Sequence, residues 1–134
     1  MKNILILCTG NSCRSQIAEG YFRHFHGDRY AVYSAGVEVH GVNPRAVKVM
    51  QEDGIDLSNH TSNHVDEYKD IDFSDVLTVC DHANEVCPVL PGKHKKFHHN
   101  FPDPAKAKGE EEEVMNEFRR VRGMIREYVE GFAF

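Results

Sequence analysis

The sequence predicts a single three-layer α/β domain, a parallel sheet with helices on both faces, and three observations lead there. A chain of 134 residues makes one domain and is long enough to bury a core. Short apolar runs of strand character alternate with stretches whose apolar residues recur at helical spacing, and alternating βα units bring strands parallel. The first apolar run, Ile4-Leu5-Ile6-Leu7, reads as a buried strand that ends in a polar, glycine-containing loop and opens a helix. Ligands of such folds bind outside the carboxyl ends of the strands. No repeat or linker divides residues 1–134.

Taken in order, Asn3 to Leu7 is the first strand. Ser15 to about Phe25 is a helix, with Ile17, Ala18, Tyr21, Phe22 and Phe25 at helical spacing. Tyr30 to Ala35 is a second strand, closed by Gly36. Asn43 caps a helix whose first position is Pro44; Ala46, Val47, Val49 and Met50 follow, and it ends near Gly54. Phe73 to Cys80 is a third, buried strand, and Lys95 to His98 a short fourth. Phe101-Pro102-Asp103-Pro104 is loop, because two prolines a residue apart exclude a regular element. A long helix starts near Glu110, with Val114, Phe118, Val121, Ile125, Tyr128, Val129 and Phe132 in one stripe. Its acidic opening, Glu110 to Glu113, suits the positive end of a helix.

The net charge is −5 and no basic block occurs, which argues against nucleic acid or an anionic membrane as partner. An anionic substrate must therefore be captured by local geometry. Met1-Lys2-Asn3 and four apolar residues are too short for a signal-peptide core, and no stretch approaches a membrane span. A cytoplasmic protein is expected. Cys8, Cys13, Cys80 and Cys87 then belong to a reducing compartment, where transient catalytic disulfides are the usual exception to free thiols.

Cys8-Thr9-Gly10-Asn11-Ser12-Cys13-Arg14-Ser15 follows the first strand directly. A strand-loop-helix turn of this kind presents backbone N–H groups and a positive helix end to an anion. Arg14 adds a planar fork of donors suited to a tetrahedral oxyanion. The same field favours the thiolate of Cys8, and Ser15 stands where its hydroxyl reaches that sulfur. A nucleotide P-loop is excluded, since no G-x-x-x-x-G-K-[ST] run exists. The competing reading is a small buried cysteine beside a chance arginine. Asp103, rigidly framed by Pro102 and Pro104, is the candidate acid for a leaving oxygen; otherwise it merely marks a turn.

Cys80 and Cys87 form a C-x6-C pair, a poor match to structural zinc spacing and a better one to a redox pair that exchanges disulfides. Seven helical steps rise about 10.5 Å, whereas bridged cysteines need Cα atoms within roughly 7 Å. A helical segment would have to unwind on oxidation, with faster hydrogen exchange across Asp81 to Val86. Two unrelated buried thiols are the alternative. Cys13 is assigned to packing. His94, His98 and His99 alternate with Lys93, Lys95 and Lys96, whose charge repels a cation, so no metal site is expected there.

These motifs, together with Tyr33 to Gly36, Gly41 to Pro44, Asn59 to Ser62 and Phe101 to Ala105, resemble the thioredoxin-coupled arsenate reductases over almost the whole chain. The resemblance implies the low-molecular-weight protein tyrosine phosphatase fold, a four-stranded parallel sheet flanked by helices. It implies that Thr9, Gly10, Asn11, Ser12, Cys13 and Arg14 bind arsenate, that Cys8 attacks it with support from Ser15, and that Asp103 protonates the departing hydroxyl. Cys80 then attacks Cys8, and Cys87 attacks Cys80 to leave a disulfide that thioredoxin reduces. No tightly bound cofactor is implied, and a monomer is expected. Some members bind potassium, through ligands corresponding to Asn11, Glu19, Ser34 and Thr61; Asn63 stands here where the family often has aspartate. The runner-up is a tyrosine phosphatase, although Ala105 and Lys106 stand where phosphatases of this fold carry aromatic residues. A non-enzymatic redox sensor would not need Arg14, Ser15 or Asp103.

Overall fold

Four parallel strands form one sheet in the computed structural model of this protein, which describes residues 1–86, 90 and 92–132. They are β1 (Lys2–Cys8), β2 (Tyr30–Gly36), β3 (Asp75–Thr78) and β4 (Lys95–His98), in the order β2-β1-β3-β4. β1 is central, with Ile4 beside Val32 on one flank and Asp75 on the other. That position explains its continuous apolar run, since Ile4 to Leu7 are wholly buried. β4 is an edge strand and keeps Lys95 and Lys96 exposed, which discourages pairing with another chain.

The helices are α1 (Arg14–His26), α2 (Pro44–Glu52), α3 (Asp81–Val86) and α4 (Glu111–Glu130). Asn43 caps α2 by accepting the Arg45 N–H at 2.8 Å, and Pro44 opens it. α4 buries Val114, Phe118, Val121, Ile125 and Val129 as one stripe, and it packs on α1 and α2. Successive residues of a strand face opposite sides of a sheet. Phe97 of β4 meets Phe132 just beyond α4, while the next residue, His98, bonds Asp81 at the start of α3. α4 and α3 therefore cover opposite faces, and helices flank the sheet on both sides.

Elements differ from expectation at several places, among them Pro104–Lys106, a 3-10 turn that takes in the second proline of the stretch expected to be loop. The strand anticipated from Phe73 to Cys80 narrows to Asp75–Thr78, although Ser74 N–H and Val79 N–H still donate to Asn3 and Leu7 of β1. The chain leaves strand geometry at Cys80 because α3 begins at the next residue. A 3-10 turn at Val65–Tyr68 was not anticipated; His64 and Glu67 cap it reciprocally, and four residues are too few to show periodicity. Among the described residues no helix is long and apolar enough to cross a membrane.

The connection from β1 goes outward to β2, and the next one returns across β1 to β3. This reversal opens a crevice at the carboxyl end of β1, where such sheets bind ligands. Cys8 ends β1, and Cys80 lies two residues past β3 on the same edge.

Candidate active site

The loop from β1 to α1 is held open by bonds to its carbonyls. The Cys8, Thr9 and Gly10 carbonyls accept the N–H groups of Val37, Glu38 and His40, and Ser12 accepts that of Asn43. Gly10 also accepts the Ser62 hydroxyl at 3.1 Å, and Asn11 accepts Gln16 Nε2 at 3.0 Å. In a planar trans peptide the N–H points opposite to the carbonyl. With five successive carbonyls engaged from outside, the intervening N–H groups turn toward the loop's interior, which makes an anion cradle. At Gly10 a Cβ would lie 2.4 Å from His40 Nδ1, so any larger residue would push the His40 ring aside. Asn11 adopts φ of 48°, a left-handed conformation that asparagine tolerates better than most side chains.

Asn11 also orients the nucleophile. Its Oδ1 accepts the Asn63 N–H at 2.8 Å, which directs Nδ2 to Ser15 Oγ at 2.7 Å and Ser34 Oγ at 3.0 Å. A hydroxyl has one proton. Ser15 accepts from Asn11, so its own proton is free for Cys8 Sγ, 3.1 Å away. Ser34 spends its proton on Glu19 Oε1. Asn11 thus donates in both directions, through Ser34 to a buried carboxylate and through Ser15 to the sulfur of Cys8.

Cys8, Arg14 and Asp103 line one cleft of about 550 Å³, together with His40, His82 and Lys106. Arg14 donates to the Phe101 carbonyl at 3.0 Å and lies 3.8 Å from Asp103. Asp103 Oδ1 accepts the Ala105 N–H at 3.0 Å, so the flanking prolines and this turn hold its other oxygen toward Arg14. Cys80 Sγ lies 3.3 Å from the Thr9 hydroxyl and 3.4 Å from the Ala83 N–H. Cys80 Sγ thus touches the side chain of the residue that follows Cys8. Cys13 is buried, and burial, with Asp103 and Cys8 adding to it, pushes its thiol well above the ordinary cysteine range; it remains a packed thiol. Cys87 lies outside the described residues.

The residues proposed for potassium come together but do not suit a cation. Asn11 turns its NH2, not its oxygen, toward Ser34. The Thr61 carbonyl accepts Gln16 Nε2 at 2.9 Å, and its hydroxyl donates to Asn63. Glu19 is engaged by Arg23 Nε at 2.9 Å and faces His60 Nε2 at 3.5 Å. Burial pushes His60 below its ordinary value, so the permanent positive partner of Glu19 is Arg23. Arg23 does the work a potassium ion would do.

Gln16, Ser62, His40 and His82 escaped the sequence reading. Gln16 carried a signal in hindsight: it is wholly buried and polar on a helix, and it bonds Asn11, Thr61 and His60. The others bond or line the loop from segments remote in sequence.

A family model described as low molecular weight phosphotyrosine protein phosphatase matches residues 3–133. The arsenate reductase of Halalkalibacterium halodurans is 51% identical over 132 residues, 98% of this chain and 95% of that one. The arsenate reductase of Bacillus subtilis is 49% identical over the same shares. A solved arsenate reductase in its oxidized state aligns with a TM-score of 0.83 at 31% identity, over 97% of this chain and 95% of that chain. A low molecular weight tyrosine phosphatase from T. tengcongensis shares the fold, at a TM-score of 0.78, 23% identity and 96% and 95% coverage. From its matched length and these relatives, the chain belongs to the low molecular weight phosphotyrosine protein phosphatase family, alongside the family's arsenate reductases.

Proposed function

We propose that this protein reduces arsenate to arsenite through a relay of three cysteines, Cys8, Cys80 and Cys87, recharged by thioredoxin. The observation that carries it is that Cys80, just before α3, sets its sulfur 3.3 Å from the hydroxyl of Thr9, the residue after Cys8, whose own sulfur meets Ser15. Arsenate binds the inward N–H groups of residues 9–13 and Arg14, and Arg14 exchanges its contact with Asp103 for the oxyanion. The Cys8 thiolate attacks arsenic, an S–As bond forms, and Asp103 gives its proton to the departing oxygen, which leaves as water. Cys80 attacks the Cys8 sulfur. The S–S bond forms as the S–As bond breaks, its electron pair stays on arsenic, and arsenite departs with arsenic reduced from the pentavalent to the trivalent state. Cys87 attacks Cys80, which returns Cys8 as thiolate. A dithiol of the thioredoxin class then reduces Cys80–Cys87 by the same exchange. The protein would work as a monomer in the reducing cytoplasm.

Thioredoxin, thioredoxin reductase and NADPH oxidation report arsenate turnover. Cys87→Ser should abolish the steady-state signal while p-nitrophenyl phosphate hydrolysis continues unchanged. Strong ester hydrolysis with no arsenate-dependent NADPH use would instead make this a phosphatase.

A further inference from the structure

α3 is tied to the sheet by contacts that the chemistry above does not use. His98 of β4 reaches Asp81 Oδ1 through Nε2 at 2.7 Å and Thr78 Oγ through Nδ1 at 2.7 Å. Asn100 accepts the Asp81 N–H at 3.0 Å, and Asn84 Oδ1 lies 3.4 Å from the Thr78 hydroxyl. The directions follow from the partners. A carboxylate only accepts, so Nε2 donates to Asp81; in the neutral ring Nδ1 then accepts the Thr78 proton. The Asp81 carboxylate makes the first bond charge-assisted, and Asn84 Oδ1 on α3 lies beside the same Thr78 hydroxyl, so β3, β4 and α3 meet at His98.

We propose that Asp81, His98 and Thr78 form a clasp that sets how readily α3 opens, and that they act as positioning residues for sulfur exchange at Cys80. The proposal rests on the relay above. Asp81 is bonded directly to Cys80, so a sulfur that travels to a new partner draws Asp81 away from His98. The six residues between Cys80 and Cys87 form α3, and helical spacing carried through to both cysteines would separate their Cα atoms by about 10.5 Å against the roughly 7 Å that a disulfide permits. An intact clasp therefore favours the dithiol. The group facing His98 from α3 is Asp81, the group from β3 is Thr78, and Lys96 shares the same side of β4 by alternation.

The test equilibrates the whole protein with glutathione redox buffers, traps thiols by alkylation and counts the Cys80–Cys87 disulfide by mass spectrometry. Asp81 is largely exposed, so the effect is that of a solvated pair. Asp81→Asn and His98→Gln should each favour the disulfide by about threefold to fivefold, at most about 20 mV for a two-electron couple. The double variant should add little to either single, because both remove one contact. Asp81→Glu, which keeps a carboxylate for His98, should recover part of the wild-type equilibrium, a response that general loosening of the helix would not give. Unchanged equilibria in both variants, or additive effects, would overturn the clasp while leaving the relay intact. Failure of wild type to form Cys80–Cys87 at any buffer ratio would overturn both.

Discussion

Replacing Asn11 by aspartate turns a buried amide nitrogen into a carboxylate oxygen, and the donor bonds to Ser15 and Ser34 are lost together. Asn11 is wholly buried and donates to Ser15 from Nδ2 at 2.7 Å. In Asn11→Asp that donor becomes an acceptor, while Oδ1 still holds the Asn63 N–H. Ser15 has a single proton, which the new carboxylate takes, and Cys8 Sγ loses the donor now 3.1 Å away. A hydrogen bond to a charged group contributes about 1.5–3 kcal/mol, so kcat/KM for arsenate should fall about tenfold to a hundredfold at about 1.4 kcal/mol per decade. Ser15→Ala deletes the same donor and should fall by a similar factor. The double variant should be no slower than Asn11→Asp alone, because both singles remove one interaction. Coupled NADPH oxidation gives the rates, and circular dichroism at the assay temperature checks folding. If folded Asn11→Asp turns over within twofold of wild type, Ser15 is not the donor to Cys8, and the orienting role given to Asn11 is wrong.

Cys13→Ala should keep kcat/KM within about threefold, since burial keeps that thiol protonated; a hundredfold loss would make Cys13 a reactant. Hydrogen bonding from Arg119, with Arg122 helping, holds Glu52 at about 2 against an ordinary 4.5. A carboxylate depressed on folding stabilises above its unfolded pKa and loses that stabilisation as pH falls through its folded one. The small melting-temperature gap between wild type and Glu52→Gln should be constant above about pH 5, shrink below it and vanish near pH 2. A gap that grew on acidification would reverse the sign. Exchanging potassium for sodium at fixed ionic strength should leave kcat/KM unchanged, because Arg23 already serves Glu19 at 2.9 Å; a potassium-specific increase would show that Arg23 can be displaced.

What was legible in the sequence was what is local. Ile4 to Leu7 announced a central strand by being apolar at every position. Cys8 and Ser15 stand one short loop and one helical start apart, so their bond could be anticipated. Asp103 was legible through its two prolines, although its 3.8 Å approach to Arg14 was not. The residues that aim the nucleophile were hidden because their partners come from distant strands and loops. Ser34 is 23 residues from Asn11 and Ser62 is 52 from Gly10. The potassium ligands were placed correctly in space and misjudged in chemistry, because which way Asn11 turns its amide depends on the Asn63 N–H, which only the fold supplies. His98 was weighed solely as a metal ligand, and its carboxylate and hydroxyl partners lie 17 and 20 residues away.

The two thiols sit on supports built to opposite ends. Cys8 must hold its sulfur still in line with a bound oxyanion, and an offset of about 1 Å can cost a hundredfold. Its loop is accordingly bonded to the segment that follows β2, the start of α2 and the Ser62 segment through successive carbonyls. Cys80 must instead leave one sulfur for another. α3 spans six residues, too short to be stable alone, and its ties outside the helix gather at Asp81 and Asn84. A longer helix would resist the exchange, and a loose loop would leave Cys80 without a defined starting position. A single turn and a half held by a separable clasp meets both demands, which accounts for a short helix beside a firmly bonded nucleophile loop.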